Sequence, residues 1–145
     1  MKKILIINGP NLNLLGNRED GIYGNDSLDK IKSDCEKKSI EKKLEIDFFQ
    51  SNNEGEIIDK IHEVNNKYEG LIINPAAFTH SSIAILDSLR AISKPKIEIH
   101  LSNIYSREEY RKKSITSEGV DGLICGFGGN SYLLGIEAIC KLIYK

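Results

Sequence analysis

The sequence predicts a doubly wound α/β domain, five parallel strands in the order 2-1-3-4-5 with helices on both faces. Three observations carry that reading. Strand-like apolar runs recur at Lys3 to Asn8, Leu44 to Gln50, Gly70 to Asn74, Lys96 to Leu101 and Val120 to Gly126. Stripes at helical spacing lie between them, which indicates a parallel sheet covered on both sides. Right-handed crossovers then leave 2-1-3-4-5 as the economical strand order.

The helices follow in turn. Ser27 can cap a first helix in which Leu28, Ile31 and Cys35 form the apolar stripe and Lys30, Lys37 and Lys38 stay in water. Ile57, Ile58, Ile61 and Val64 make the second stripe, and a third helix starting near His80 carries Ile83, Ile85, Leu86 and Leu89 up to Pro95. Ser106 to Arg111 reads as a short charged helix. A last helix from about Asn130 buries Leu133, Leu134, Ile136, Ile139 and Leu142.

The chain of 145 residues fits one domain, 1–145, without repeat or linker, a size at which roughly two-thirds of the unfolded surface is buried. With 20 basic and 21 acidic side chains the net charge is -1, so no broad field gathers nucleic acid or an anionic membrane. The apolar runs are strand-sized and the first residues lack a signal-peptide stretch, so a cytoplasmic protein is expected. Cys35, Cys125 and Cys140 have no paired spacing and read as reduced, mostly buried side chains.

In such a sheet ligands bind beyond the carboxyl ends of the strands, here Asn8, Asn74, His100 to Ser102, and Gly126 to Gly129. The loop after the first strand holds Gly9 and Gly16 but lacks the endings of a phosphate or dinucleotide loop. It carries Arg18 within reach of Tyr23, and a nearby cation favours phenolate and draws a tyrosine toward base duty. Asn74 to Ser82 (NPAAFTHSS) leads from strand to helix; its hydroxyls and His80 could simply cap the helix, or line a neutral pocket for hydroxyl groups.

Glu98 and His100, two apart on a strand, point to the same face, where a carboxylate on one ring nitrogen fixes the tautomer for acid or base work by the other. Arg107 and Arg111, one helical turn apart, could grip a carboxylate together, although a solvated helix surface is the plainer reading. His62-Glu63-Val64-Asn65-Asn66 lacks the second histidine of a zinc motif, so no metal is expected.

The run from Asn8 to Glu19 (NGPNLNLLGNRE), Tyr23-Gly24, Gln50 to Asn52 with Glu54 to Glu56, Asn74 to His80, Glu98 to Asn103 and Arg107 to Arg111 together resemble type II 3-dehydroquinate dehydratase. The resemblance spans nearly the whole chain in order; Ser81 and Ser88 fall where relatives vary. It implies a flavodoxin-like three-layer sandwich and a cofactor-free dehydration of 3-dehydroquinate to 3-dehydroshikimate, the third step of the shikimate pathway, through an enolate. It implies Tyr23 as the base, Arg18 as the cation that keeps it ionised, and Asn11 as holder of a water that stabilises the enolate. His100 becomes the acid, oriented by Glu98. Asn74, His80, Leu101, Ser102 and Arg111 match substrate-binding positions, and Arg107 matches a residue that helps a lid close. The family's dodecamer, a tetramer of trimers, would bring Asp87 into the neighbouring subunit's site. The rival expectation is a flavodoxin-like module that binds a phosphate or another small ligand through Gly126 to Gly129.

Overall fold

The computed structural model describes residues 1–16 and 26–145. Five parallel strands, β1 (Lys2–Asn8), β2 (Leu44–Gln50), β3 (Gly70–Asn74), β4 (Lys96–His100) and β5 (Gly122–Cys125), form one sheet in the order β2-β1-β3-β4-β5. Side chains on a strand alternate between faces, so β1 and β3 supply a core on each side of the sheet. Ile4, Ile6, Ile72, Ile97 and Ile99 pack on one side with Ile31 and Cys35 of α1 (Leu28–Glu41) and Tyr132, Ile136 and Ile139 of α5 (Asn130–Ile143). Leu5, Ile7, Leu71 and Ile73 pack on the other with Ile57 and Ile61 of α2 (Glu54–His62), Val64 of the short α3 (Val64–Lys67), and Ile85 and Leu89 of α4 (Ile83–Ala91). The result is the three-layer α/β sandwich expected from the sequence.

Side-chain caps fix where α1, α2 and α4 begin. The Ser27 hydroxyl accepts the Lys30 N–H at the start of α1, the Asn53 amide oxygen accepts the Glu56 N–H at α2, and the Ser82 hydroxyl accepts the Ile85 N–H at α4. Ser82 in turn donates to Glu54 Oε2 at 2.6 Å, joining the starts of α2 and α4.

Several boundaries differ from the expectation, each for a local reason. The helix after β3 does not start near His80: Ala76–His80 is a tight 3-10 turn and α4 begins three residues beyond it, where Ser82 provides the cap. The charged stretch 106–111 is not an α-helix. Two 3-10 turns, Ile104–Ser106 and Glu109–Arg111, flank an extended Arg107, so the argument from helical spacing fails for Arg107 and Arg111. Strand β4 stops at His100 and β5 is confined to Gly122–Cys125. In α5 Tyr132 is fully buried while Leu134 is 36% exposed, so the buried stripe is rotated toward the tyrosine. Cys35 is buried but Cys125 and Cys140 are only partly so, and all three are free. Among the described residues no helix is long and apolar enough to cross a membrane.

Candidate active site

Strand register brings three amide side chains to one level beyond the sheet, since Asn8 pairs with both Gln50 and Asn74. Gln50 Nε2 donates to the Gly9 carbonyl at 3.2 Å and to Asn52 Oδ1 at 3.1 Å, and Asn52 Oδ1 accepts the Asn11 N–H at 2.9 Å. These bonds hold Asn11 in the left-handed region, φ 69°. Gly9 is required for a different reason. Its N–H donates to the Asn74 carbonyl, and a Cβ there would sit 2.4 Å from the Pro75 oxygen, so only glycine lets the two loops meet.

Asn74, 2% exposed, is the hub of the next bonds. Its Oδ1 accepts the Ala76 N–H at 3.1 Å, which holds Ala76 at φ 52°. A left-handed alanine costs of order 1 kcal/mol and persists only where neighbours impose it, a pattern that clusters at ligand sites. Asn74 Nδ2 donates to the Tyr132 hydroxyl at 3.0 Å, and that hydroxyl donates to Asn8 Oδ1 at 2.6 Å. Burial pushes the Tyr132 phenol up, so it stays neutral and serves only to orient the two amides. The second Nδ2 hydrogen of Asn74 is the one left for a ligand.

On the opposite face of the sheet Glu98 and His100 meet, Oε2 to Nε2, at 2.7 Å. Glu98 is fully buried and His100 is 5% exposed. Three hydroxyls close around the carboxylate: Thr79 at 2.7 Å and Ser114 at 3.0 Å from Oε2, and Thr116 at 2.5 Å from Oε1. Burial pushes the Glu98 carboxyl up, but the His100 hydrogen bond and charge, with the Thr116 and Thr79 hydroxyls, outweigh it and hold the group below its ordinary range. An ionised Glu98 accepts a hydrogen bond from His100 Nε2–H and leaves Nδ1 for a ligand.

His80 lies on the turn after β3, with Nδ1 2.8 Å from the Lys113 carbonyl, to which it donates. Burial lowers its pKa more than that bond raises it, so the ring is neutral at pH 7 and Nε2 is an acceptor. Pro10, Asn11, Leu12, Asn74, Ala76, Ala77, His80, His100, Leu101, Ser102, Ile104, Arg107 and Arg111 line one cavity of about 90 Å³, room for a small polar molecule. The two arginines converge there although no helix aligns them. Glu108 Oε2 lies 3.7 Å from Arg107 Nε and 3.0 Å from Arg111 Nε. The Arg111 contact is out of line for a hydrogen bond, leaving that buried Nε without an aligned partner among the described residues.

The expected site residues therefore fall into three groups. Asn11, Asn74, His80, His100, Leu101, Ser102, Arg107 and Arg111 line the cavity, with Glu98 directly beneath His100. Asp87 is not part of this lining; it is exposed on α4. Arg18 and Tyr23 lie outside the described residues.

Three amides of the glycine turn are already taken within the protein. The Gly126 N–H donates to the His100 carbonyl, the Gly128 N–H to the Leu101 carbonyl and the Phe127 N–H to the Ser131 hydroxyl, so this turn secures the end of β4. Tyr132, Ser114 and Thr116 were not expected at the site. Tyr132 hides in an apolar stripe, and the hydroxyls in an ordinary polar loop.

The model of the family Dehydroquinase class II matches residues 2–140. The chain belongs to that family. A 3-dehydroquinate dehydratase of Clostridium botulinum is 58% identical over 145 residues, covering 100% of this chain and 99% of the relative. One from Rhizobium johnstonii is 49% identical over 136 residues, 94% of each chain. The type II dehydroquinase of Butyrivibrio crossotus superposes with a TM-score of 0.93 at 45% identity, covering 95% of this chain and 97% of that one. That of Propionibacterium acnes gives 0.94 at 38% identity and 97% of both. The class II dehydroquinase fold thus places Asn8 and Asn74 on the sheet face that α5 covers and Glu98 and His100 on the other face, with Asn74 and His100 both lining the cavity.

Proposed function

We propose that this class II dehydroquinase removes water from 3-dehydroquinate to give 3-dehydroshikimate, the third step of the shikimate pathway, by trans-elimination through an enolate. The observation that carries the proposal is the buried Glu98–His100 contact beside a cavity lined by two arginines and neutral hydrogen-bonding groups. The arginines suit a substrate carboxylate, while Asn74, neutral His80 and Ser102 suit its hydroxyls.

In the first step Tyr23, kept ionised by Arg18, takes the proton next to the ketone and leaves an enolate. Asn11 holds the water that donates to the enolate oxygen. In the second step the enolate re-forms the ketone, the new carbon–carbon double bond expels the hydroxyl, and His100 protonates it so that water departs. Glu98, remaining a carboxylate, stabilises the imidazolium that carries this proton. Both steps balance without an external oxidant or metal ion. Leu101 and Ser102 bind substrate through backbone and side chain, and Arg107 closes over it with Arg111.

The same reading makes 1–145 one catalytic domain of a cytoplasmic homododecamer, a tetramer of trimers, in which Asp87 approaches the neighbouring subunit's site. The exposed position of Asp87 on α4 is compatible with such a contact.

Mixing the protein with 3-dehydroquinate is expected to raise the ultraviolet absorbance of a conjugated enone carboxylate; no rise from folded protein overturns the proposal. Tyr23→Phe is expected to lower kcat by about a thousandfold while substrate still binds. Near-normal turnover would remove Tyr23 from the base role.

A further inference from the structure

The stretch from Lys113 to Thr116 does not line the cavity, yet it holds both of the cavity's imidazoles. The Lys113 carbonyl accepts from His80 Nδ1, and the Ser114 and Thr116 hydroxyls reach Glu98, which holds His100. The stretch is itself anchored: the Ile115 N–H donates to the Thr79 carbonyl at 2.7 Å, and the Ser117 N–H donates to the Ser114 hydroxyl at 3.1 Å. Thr79 and Thr116 are fully buried. Two buried threonines facing a buried carboxylate need a reason, since valine has their shape without a polar atom to satisfy.

The donors around the carboxylate supply it. Thr79 Oγ1 lies 2.7 Å from Ser114 Oγ, 2.6 Å from Thr116 Oγ1 and 2.7 Å from Glu98 Oε2. Each hydroxyl has one proton to give and can also accept, so the three bond to one another as well as to the carboxylate. Four donors, His100 Nε2 and the three hydroxyls, converge on its two oxygens, and hydrogen bonds to the charged form favour it.

We propose that the hydroxyls of Thr79, Ser114 and Thr116 are positioning residues for His100, holding Glu98 as a carboxylate so that the ring keeps Nε2 bound and presents Nδ1 to the substrate. This rests on the assignment of His100 as the acid. The other titratable groups facing Glu98 are His100 on its own strand, with His80 from the turn after β3 and Cys125 from β5 sensing its charge.

The test is Thr116→Val, which keeps the shape and removes one proton donor. Expected with 3-dehydroquinate are a kcat lower by about tenfold, a nearly unchanged KM, and an acid limb of the kcat profile moved up by about one pH unit. Thr116→Ser, which restores the hydroxyl, should return both. An unshifted acid limb, a raised KM with normal kcat, or failure of the serine variant to rescue overturns the proposal. Should the valine variant not fold, Ser114→Ala at a half-buried position takes the same measurement, and an unshifted limb there is equally decisive. His100→Ala separates the two levels of the argument. If it keeps turnover, the assignment of the acid is wrong; if it is inactive while Thr116→Val keeps the wild-type profile, only the hydroxyl proposal falls.

Discussion

Two polar clusters flank the cavity, one on each face of the sheet, and they solve the problem of burial in opposite ways. The relay from Asn8 through Tyr132 to Asn74 consists of neutral groups, and every bond runs between defined donors and acceptors. The cluster of Glu98, His100, Thr79, Ser114 and Thr116 is built around a charge. A neutral relay can fix the direction of a donor but has no proton to exchange at ordinary pH. A carboxylate held below its usual pKa can steady an imidazolium through a reaction. In the proposed mechanism this difference gives binding to one face and proton transfer to the other.

The sharpest way to break that division is Glu98→Gln. The amide keeps the volume but cannot balance an imidazolium, so kcat should fall by about 10²-fold or more with KM little changed. Steady-state kinetics with 3-dehydroquinate measure both constants. A predominant effect on KM would mean that the charged face also serves binding.

Tyr132→Phe probes the neutral face with a smaller effect. Removing the hydroxyl leaves Asn74 Nδ2 and Asn8 Oδ1 buried without their shared partner, at about 1–3 kcal/mol of stability in a urea titration followed by circular dichroism. Because Asn74 then loses its orientation, KM should rise by more than kcat falls. A kcat loss as large as that of Glu98→Gln would erase the distinction between the faces.

The charged face was more legible in the sequence than the neutral one, and the reason is range. Glu98 and His100 are two apart on a strand, so the period of the pleat alone puts them side by side. Asn74 and Tyr132 are 58 residues apart and meet because α5 packs on the face of β3, which no local pattern encodes. Tyr132 also reads as one more apolar helix residue. The five strands and their order were legible because each is a distinct apolar run between helices. The 3-10 turns at 76–80 and 104–111 were not. They depend on a left-handed Ala76 tied to Asn74 and on side-chain bonds such as Asn103 Oδ1 accepting the Tyr105 N–H. Arg107 and Arg111 both reach the cavity, but on separate turns rather than on the one helix face that their spacing suggested.

The smallest effect is also the most specific to the comparison. The Glu98 carboxyl lies below its reference value of 4.5 in the folded protein, so between that value and its folded pKa the unfolded chain binds more protons. Its contribution to stability is therefore complete above about pH 4.5 and is lost as the pH falls through the folded value. The stability gap between wild type and Glu98→Gln should narrow as the pH falls below about 4.5. The gap for Tyr132→Phe should stay level over the same range, because no group in that relay titrates there. Urea titrations of the three proteins at a series of acid pH values measure both gaps. A Tyr132→Phe gap that narrows in step with the other would mean that the two clusters share one proton equilibrium through the strands between them, and that the faces do not act separately.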